Sequence, residues 1–192
     1  MGRIVVSENV SLDGVMGDPT GEEGSTHGGW FQQFLNGDGE AWSEFCLEQA
    51  RGGTAILLGR RSDEYFGSRW NSREGEWADR LNGLPKYVIS STLEEPVWIN
   101  STVLKGDVVS DVSKLKQQLD GEILCFASRQ LARTLLKHGL VDEVRLIVYP
   151  AVLGVGERLF DETSDKTSLR RLESRTIGGG LAYLSYEVSR AA

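Results

Sequence analysis

A chain of 192 residues with a formal net charge of −7, 40% apolar and 26% charged residues has the size and balance of one globular domain, 1–192, able to bury a core without staples. Its acidity and the scatter of its 21 Lys and Arg residues exclude a protein whose main partner is nucleic acid, since neutralising phosphates needs clustered cations. No apolar run of about 18 residues could cross a bilayer, and the chain enters its first strand without a charged and then apolar leader, so we expect a cytoplasmic protein.

In chain order, residues 3–7 read as a strand, and residues 11–30, SLDGVMGDPTGEEGSTHGGW, as a long loop crowded with turn formers. Loops of that length in compact domains usually bind or cover something, which makes this one a candidate lid. Residues 42–50 fit a helix anchored by Phe45, with Glu40, Glu44 and Glu48 on a solvated face. Residues 54–58 form a buried strand ending in Gly59-Arg60-Arg61, and Ser62 suits the cap of a short helix to about Phe66. A further helix places Trp77 and Leu81 one turn apart. Residues 86–89 form a third core strand, ending in Ser90-Ser91-Thr92. Val103 and Leu104 belong to a short strand, and Asp111 caps a helix over 111–119.

Residues 122–160 carry the most information. Ile123 to Phe126 are apolar on both faces, as a central strand requires. Ala127 and Ser128 leave the backbone accessible where that strand ends, and Ser128 suits the N-cap of a helix whose stripe is Leu131, Leu135 and Leu136. Gly139 can supply the left-handed turn that closes it, and residues 144–149 resume a strand parallel to the first. A helix N-terminus at the carboxyl edge of a parallel sheet favours a phosphate. Most such units are structural, so the spacing leaves both readings open. Residues 169–188 form two alternating runs joined by three glycines, a hairpin laid on the sheet. The fold class is therefore α/β with a mixed, mostly parallel sheet and a C-terminal antiparallel hairpin.

Three strand ends suit phosphate or hydroxyl contacts: Gly59, Arg60 and Arg61; Ser90 and Ser91; and Ala127, Ser128, Arg129, Gln130 and Leu131. If the strands are parallel, all three lie on one edge, where ligands of open α/β sheets gather. Gly154-Val155-Gly156 follows Pro150 in a loop and opens no capped helix, so it reads as a turn, and a Rossmann fingerprint is missing. Cys46 and Cys125 share no metal-ligand spacing with His27 or His138, so we expect free core thiols and no metal site. His27 sits in the loop, and His138 at a helix C-terminus that suits a cation. Trp30, Trp70 and Trp98 could line a pocket for a flat ring, although large aromatics usually build cores.

LLGRRSDEYF at 57–66, LPKYVISSTL at 84–93, WINSTVLKGD at 98–107 and LLKHGLVDEVRLIVYPAVLGVGERLF at 135–160 resemble the dihydrofolate-reductase-like family that includes the reductase domain of riboflavin biosynthesis. SLDG at 11–14 agrees. The resemblance implies a three-layer fold that binds NADPH and passes hydride to a small heterocycle or sugar imine, as 5-amino-6-(5-phosphoribosylamino)uracil reductase does. It implies a homodimer, Arg60 and Ser91 near the adenosine 2′-phosphate, residues 127–131 as the pyrophosphate loop, and Asp13 and Gly14 on the substrate side. Catalytic residues are not identified, because the cofactor carries the chemistry. Many relatives have glycine where this chain has Ala127, a change that matters if the position requires positive φ. Two other readings stay open: a dihydrofolate reductase, for which no acid on the first helix can be chosen, and a non-catalytic NADPH- or nucleotide-binding protein of the same fold. No HxE followed by CxxC is present to hold a deaminase zinc.

Overall fold

The computed structural model describes residues 1–160 and 166–189. Along the chain run β1 (Arg3–Ser11), α1 (Trp30–Gln33), α2 (Gly39–Gly52), β2 (Gly53–Gly59), α3 (Arg60–Trp70), α4 (Glu76–Gly83), β3 (Lys86–Ile89), β4 (Ser101–Leu104), α5 (Val108–Gln118), β5 (Glu122–Cys125), α6 (Arg129–Lys137), β6 (Glu143–Tyr149), β7 (Leu169–Ile177) and β8 (Leu181–Val188). They form two compact units, one of Met1–Val6 with Leu47–Asp142 and one of Ser7–Cys46 with Glu143–Ala192. None of the described helices is long and apolar enough to cross a membrane.

In the first unit the strand order is β4-β3-β2-β5-β1, and every neighbouring pair is parallel. The central strands are apolar throughout because they are covered on both faces: Ala55, Ile56, Leu57, Leu58 and Ile123 are wholly buried. Ile56, Leu58, Trp70, Leu81 and Trp98 form a core cluster joined by Phe66 and Phe126. Trp98 stacks on Phe66 with ring centroids 5.4 Å apart. Trp70 and Trp98 are thus core residues, with no open ring face for a ligand. Asp63 is buried and accepts the amide hydrogens of Val97 (2.7 Å) and Trp98 (3.2 Å), which pins that segment to α3. Gly67 permits the approach, since a Cβ there would stand 2.5 Å from the Trp98 nitrogen.

In the second unit β6, β8 and β7 pair antiparallel, so the glycine-joined hairpin forms as expected. Asp38 grips its tip by accepting from the amides of Gly179 and Gly180, both at 2.8 Å. Trp30, Phe45, Ile147, Tyr149 and Tyr183 make the core of this unit. Glu40, Glu44 and Glu48 are exposed, the solvated face their spacing suggests.

Three expectations need correction. The first strand runs on to Ser11. The helix after β2 starts directly at Arg60 and reaches Trp70, because Gly59 in an extended conformation acts as its N-cap, and Ser62 lies inside it. The helix expected from Asp111 starts one turn earlier, where the Asp107 carboxylate accepts from the Ser110 amide at 2.9 Å. Asp111 instead accepts from the Gly106 amide. The long segment after β1 is a loop as expected, and it carries an internal scaffold. Buried Asp18, at φ +47°, accepts from the amides of Glu23 (2.9 Å) and Ser25 (2.8 Å), while its carbonyl takes the amide of Gly29 at 3.0 Å.

Candidate functional site

The tips of β3, β2 and β5 share one edge of the first unit because the three strands are parallel neighbours, with Gly59 beside Ile89 and Leu57 beside Cys125. Side chains then tie two of the tips together. The Gly59 amide donates to Ser128 Oγ at 3.1 Å, Ser128 Oγ donates to Ser62 Oγ at 2.8 Å, and Ser62 Oγ donates to the Ala127 carbonyl at 2.7 Å. Ser62 and Ser128 are buried, so this chain of hydroxyls works in a low dielectric, where satisfied hydrogen bonds fix geometry firmly.

Ser128 occupies the N-cap of α6 as its sequence suggested, yet makes no side-chain cap bond there, because its hydroxyl is spent on Gly59 and Ser62. Nor does Gly59 cap α3 with a side chain. Two helix N-termini therefore open on the same strand edge without a side-chain cap, a setting that favours anions. Gln130 is exposed near the start of α6, while Leu131 is buried and anchors the helix, leaving only its backbone for a ligand.

Arg60 links the third tip. Its Nη1 donates to Thr92 Oγ1 at 3.2 Å and its Nε to Glu64 Oε1 at 2.7 Å. Ser90 folds the turn after β3, its hydroxyl accepting from the amides of Thr92 (3.3 Å) and Leu93 (3.1 Å). Ser91 and Arg61 are exposed nearby in the chain. Gly59, Arg60, Ser90, Ala127 and Ser128 are thus brought to one edge, while Arg61, Ser91 and Gln130 are exposed residues beside them in sequence. Sequence reasoning passed over Glu64 and gave Ser62 the wrong task. The spacing of Arg60 and Glu64, one helical turn, was the signal available for the first.

Ala127 stands at φ +51°, the left-handed region that costs an L-residue roughly 1–2 kcal/mol. The methyl is therefore strained at the very position where glycine would be relaxed.

Asp13 and Gly14 lie in the second unit. Gly14 turns the chain at φ +82° with its amide on the Ser11 carbonyl at 2.9 Å. The Asp13 carboxylate accepts from Ser11 Oγ (2.7 Å) and the amides of Leu153 (3.1 Å) and Gly154 (2.9 Å), and Arg158 lies 3.4 Å away. Partial burial opposes its ionisation, but these donors outweigh burial and hold the carboxyl down at about 2. Asp13 is the clamp between this turn and residues 153–158. No cluster of His, Cys, Asp or Glu suited to a metal occurs among the described residues, and Cys46 and Cys125 are free thiols.

A pair of helix starts without side-chain caps, a guanidinium and hydroxyls at one parallel-strand edge make a surface that favours anions. The family model described as RibD C-terminal domain matches residues 3–183. The uncharacterized protein YyaP of Bacillus subtilis is 30% identical over 140 residues, covering 68% of this chain and 72% of that one. A putative riboflavin biosynthesis protein from Shewanella sp. PV-4 superimposes with a TM-score of 0.74 at 21% identity, covering 98% of this chain and 99% of that one. The diaminohydroxyphosphoribosylaminopyrimidine deaminase/5-amino-6-(5-phosphoribosylamino)uracil reductase of Thermotoga maritima gives a TM-score of 0.63 at 14% identity, covering 98% of this chain and 57% of that one. The fold is the dihydrofolate-reductase-like one that the sequence resemblance implies. The chain belongs to the RibD C-terminal domain family.

Proposed function

We propose that this chain, read as one domain, is an NADPH-dependent reductase of the type that reduces 5-amino-6-(5-phosphoribosylamino)uracil, acting on a small heterocycle or sugar imine. The observation that carries the reading is the edge built by Gly59, Arg60, Ser90 and Ser128, where parallel strand tips meet two helix starts without side-chain caps. Residues 127–131 would meet the pyrophosphate through backbone amides, and Gly59, Arg61, Ser90 and Ser91 would line the same edge. Arg60 would pair with the adenosine 2′-phosphate, since a guanidinium offers paired donors to its oxygens. When bound, NADPH supplies a hydride. The protein's part is then to hold the dinucleotide in one register, exclude water and orient the acceptor. The hydroxyl chain from Gly59 to Ala127 serves that task by fixing the distance between two phosphate-facing tips. Asp13 and Gly14 would act on the substrate side by shaping their loop, the carboxylate being engaged by Ser11, Leu153 and Gly154. The family resemblance supports a homodimer.

Fluorescence titration with NADPH and NADH tests the reading. NADPH should bind well below millimolar concentration and more tightly than NADH; failure to bind would end the proposal. Binding without NADPH oxidation by any pyrimidine or pterin would favour the second reading, a non-catalytic nucleotide-binding protein, for which strained Ala127 is the motivating feature.

A further inference from the structure

Arg60 lies at the first position of α3, and its Nε–H is directed to Glu64 Oε1 at 2.7 Å, one turn along the same helix. Its Nη1 is directed to Thr92 Oγ1 at 3.2 Å. A guanidinium grips a phosphate best through two parallel N–H bonds, and the side-on pair uses Nε. With Nε held by Glu64, the pair left for a phosphate is the end-on one of Nη1 and Nη2, so Glu64 fixes which edge of the guanidinium is presented. The carboxylate also adds a negative charge within one side-chain length of the place where a dianion would sit.

As a helix stabiliser the ion pair does little. Both side chains are about half exposed, at 50% and 42%, and the acid lies C-terminal to the base, the less favourable order for an i, i+4 pair. Its influence on an arriving ligand is larger than its influence on the helix, because the ligand brings two charges to the same guanidinium. Resting on the cofactor reading above, we propose that Glu64 sets the specificity of this site: it aligns Arg60 through Nε, and its charge limits preference for a 2′-phosphorylated adenosine over an unphosphorylated one.

Calorimetric titration with adenosine 2′,5′-bisphosphate and with AMP reads this without any turnover. Glu64→Gln keeps an acceptor for Nε and removes the charge. It should tighten the bisphosphate roughly three- to tenfold at low salt, with the gain shrinking as salt is added, and leave AMP within about twofold. Glu76→Gln makes the same charge change against Arg51 on another helix and should shift neither ligand. Equal shifts for both ligands in Glu64→Gln, or weaker bisphosphate binding, would overturn the role given to Glu64. Arg60→Ala separates this from failure of the underlying reading: if it leaves the ratio of the two affinities unchanged, or if wild-type protein binds neither ligand, the 2′-phosphate assignment itself falls, and the proposal with it.

Discussion

The amide of Gly59 donates to Ser128 Oγ across 3.1 Å, joining residues 69 positions apart and fixing the end of β2 to the start of α6. Ser128 passes the interaction on through Ser62 to the Ala127 carbonyl. Ser128 thus leaves the start of α6 without a side-chain cap, and α3 starts after Gly59, which has no side chain to cap with, so both helix starts stay available to an anion.

Replacing Ser128 with Ala should strand the Gly59 donor and cost about 1–2 kcal/mol, measurable by urea unfolding. Ser62→Ala should cost a similar amount, and the double variant less than the sum, because both remove the same chain of bonds. Additive losses would show that the hydroxyls act independently.

Ala127→Gly should relieve the left-handed backbone at φ +51°. The gain is offset in part by the greater freedom of glycine in the unfolded chain, leaving a net stabilisation of about 0.5–1 kcal/mol. A drop in denaturation midpoint would contradict the strain. If the loop meets pyrophosphate as proposed, the same variant should also bind NADPH at least as well.

Lys86 makes the alkaline limb of stability testable. It is wholly buried, with Nζ donating to the carbonyls of Asn82 (3.2 Å) and Leu84 (2.8 Å) and lying 4.7 Å from the Trp98 ring centre. Burial lowers its pKa to about 8, against the opposing pull of Asp63. The folded state then binds fewer protons than the unfolded one between that value and the ordinary lysine range. This group's contribution to stability should therefore rise with pH across that window, by on the order of 2 kcal/mol. Unfolding free energies of wild type and Lys86→Met between about pH 7.5 and 10 should differ in slope, the variant lacking the rise.

The acidic limb rests on Asp13 and Asp18. Burial opposes ionisation of each, yet hydrogen bonds from Ser11, Leu153 and Gly154 to the first, and from Glu23 and Ser25 to the second, lower both. Their stabilisation is complete above the unfolded carboxyl pKa and is lost as pH falls through the folded values. Asp13→Asn should flatten the stability curve between about pH 4 and pH 2, by about 1 kcal/mol after solvent screening. An unchanged acid-unfolding curve would remove Asp13 from its role as the clamp on residues 153–158.

Much of this was written in one-dimensional pattern. Apolar runs such as 55–58 and 123–125 announce strands covered on both faces, and the glycines at 178–180 announce a hairpin, because burial and turn geometry act on neighbours in sequence. The edge carrying Arg60, Ser90 and Ser128 was legible for the same reason: each strand end carried its own small and polar residues. Helix starts were less legible, since Asp107 and Asp111 both suit a cap and only the path of the backbone chooses between them. Pairings over long separations were not legible at all. That the Ser128 hydroxyl would serve Gly59 in place of its own helix, that Asp13 would be occupied by Leu153 and Gly154, and that Ala127 would be held at positive φ depended on which segments folding brings into hydrogen-bonding range. Those partners compete for the same donors and acceptors as the local ones, and only packing decides between them.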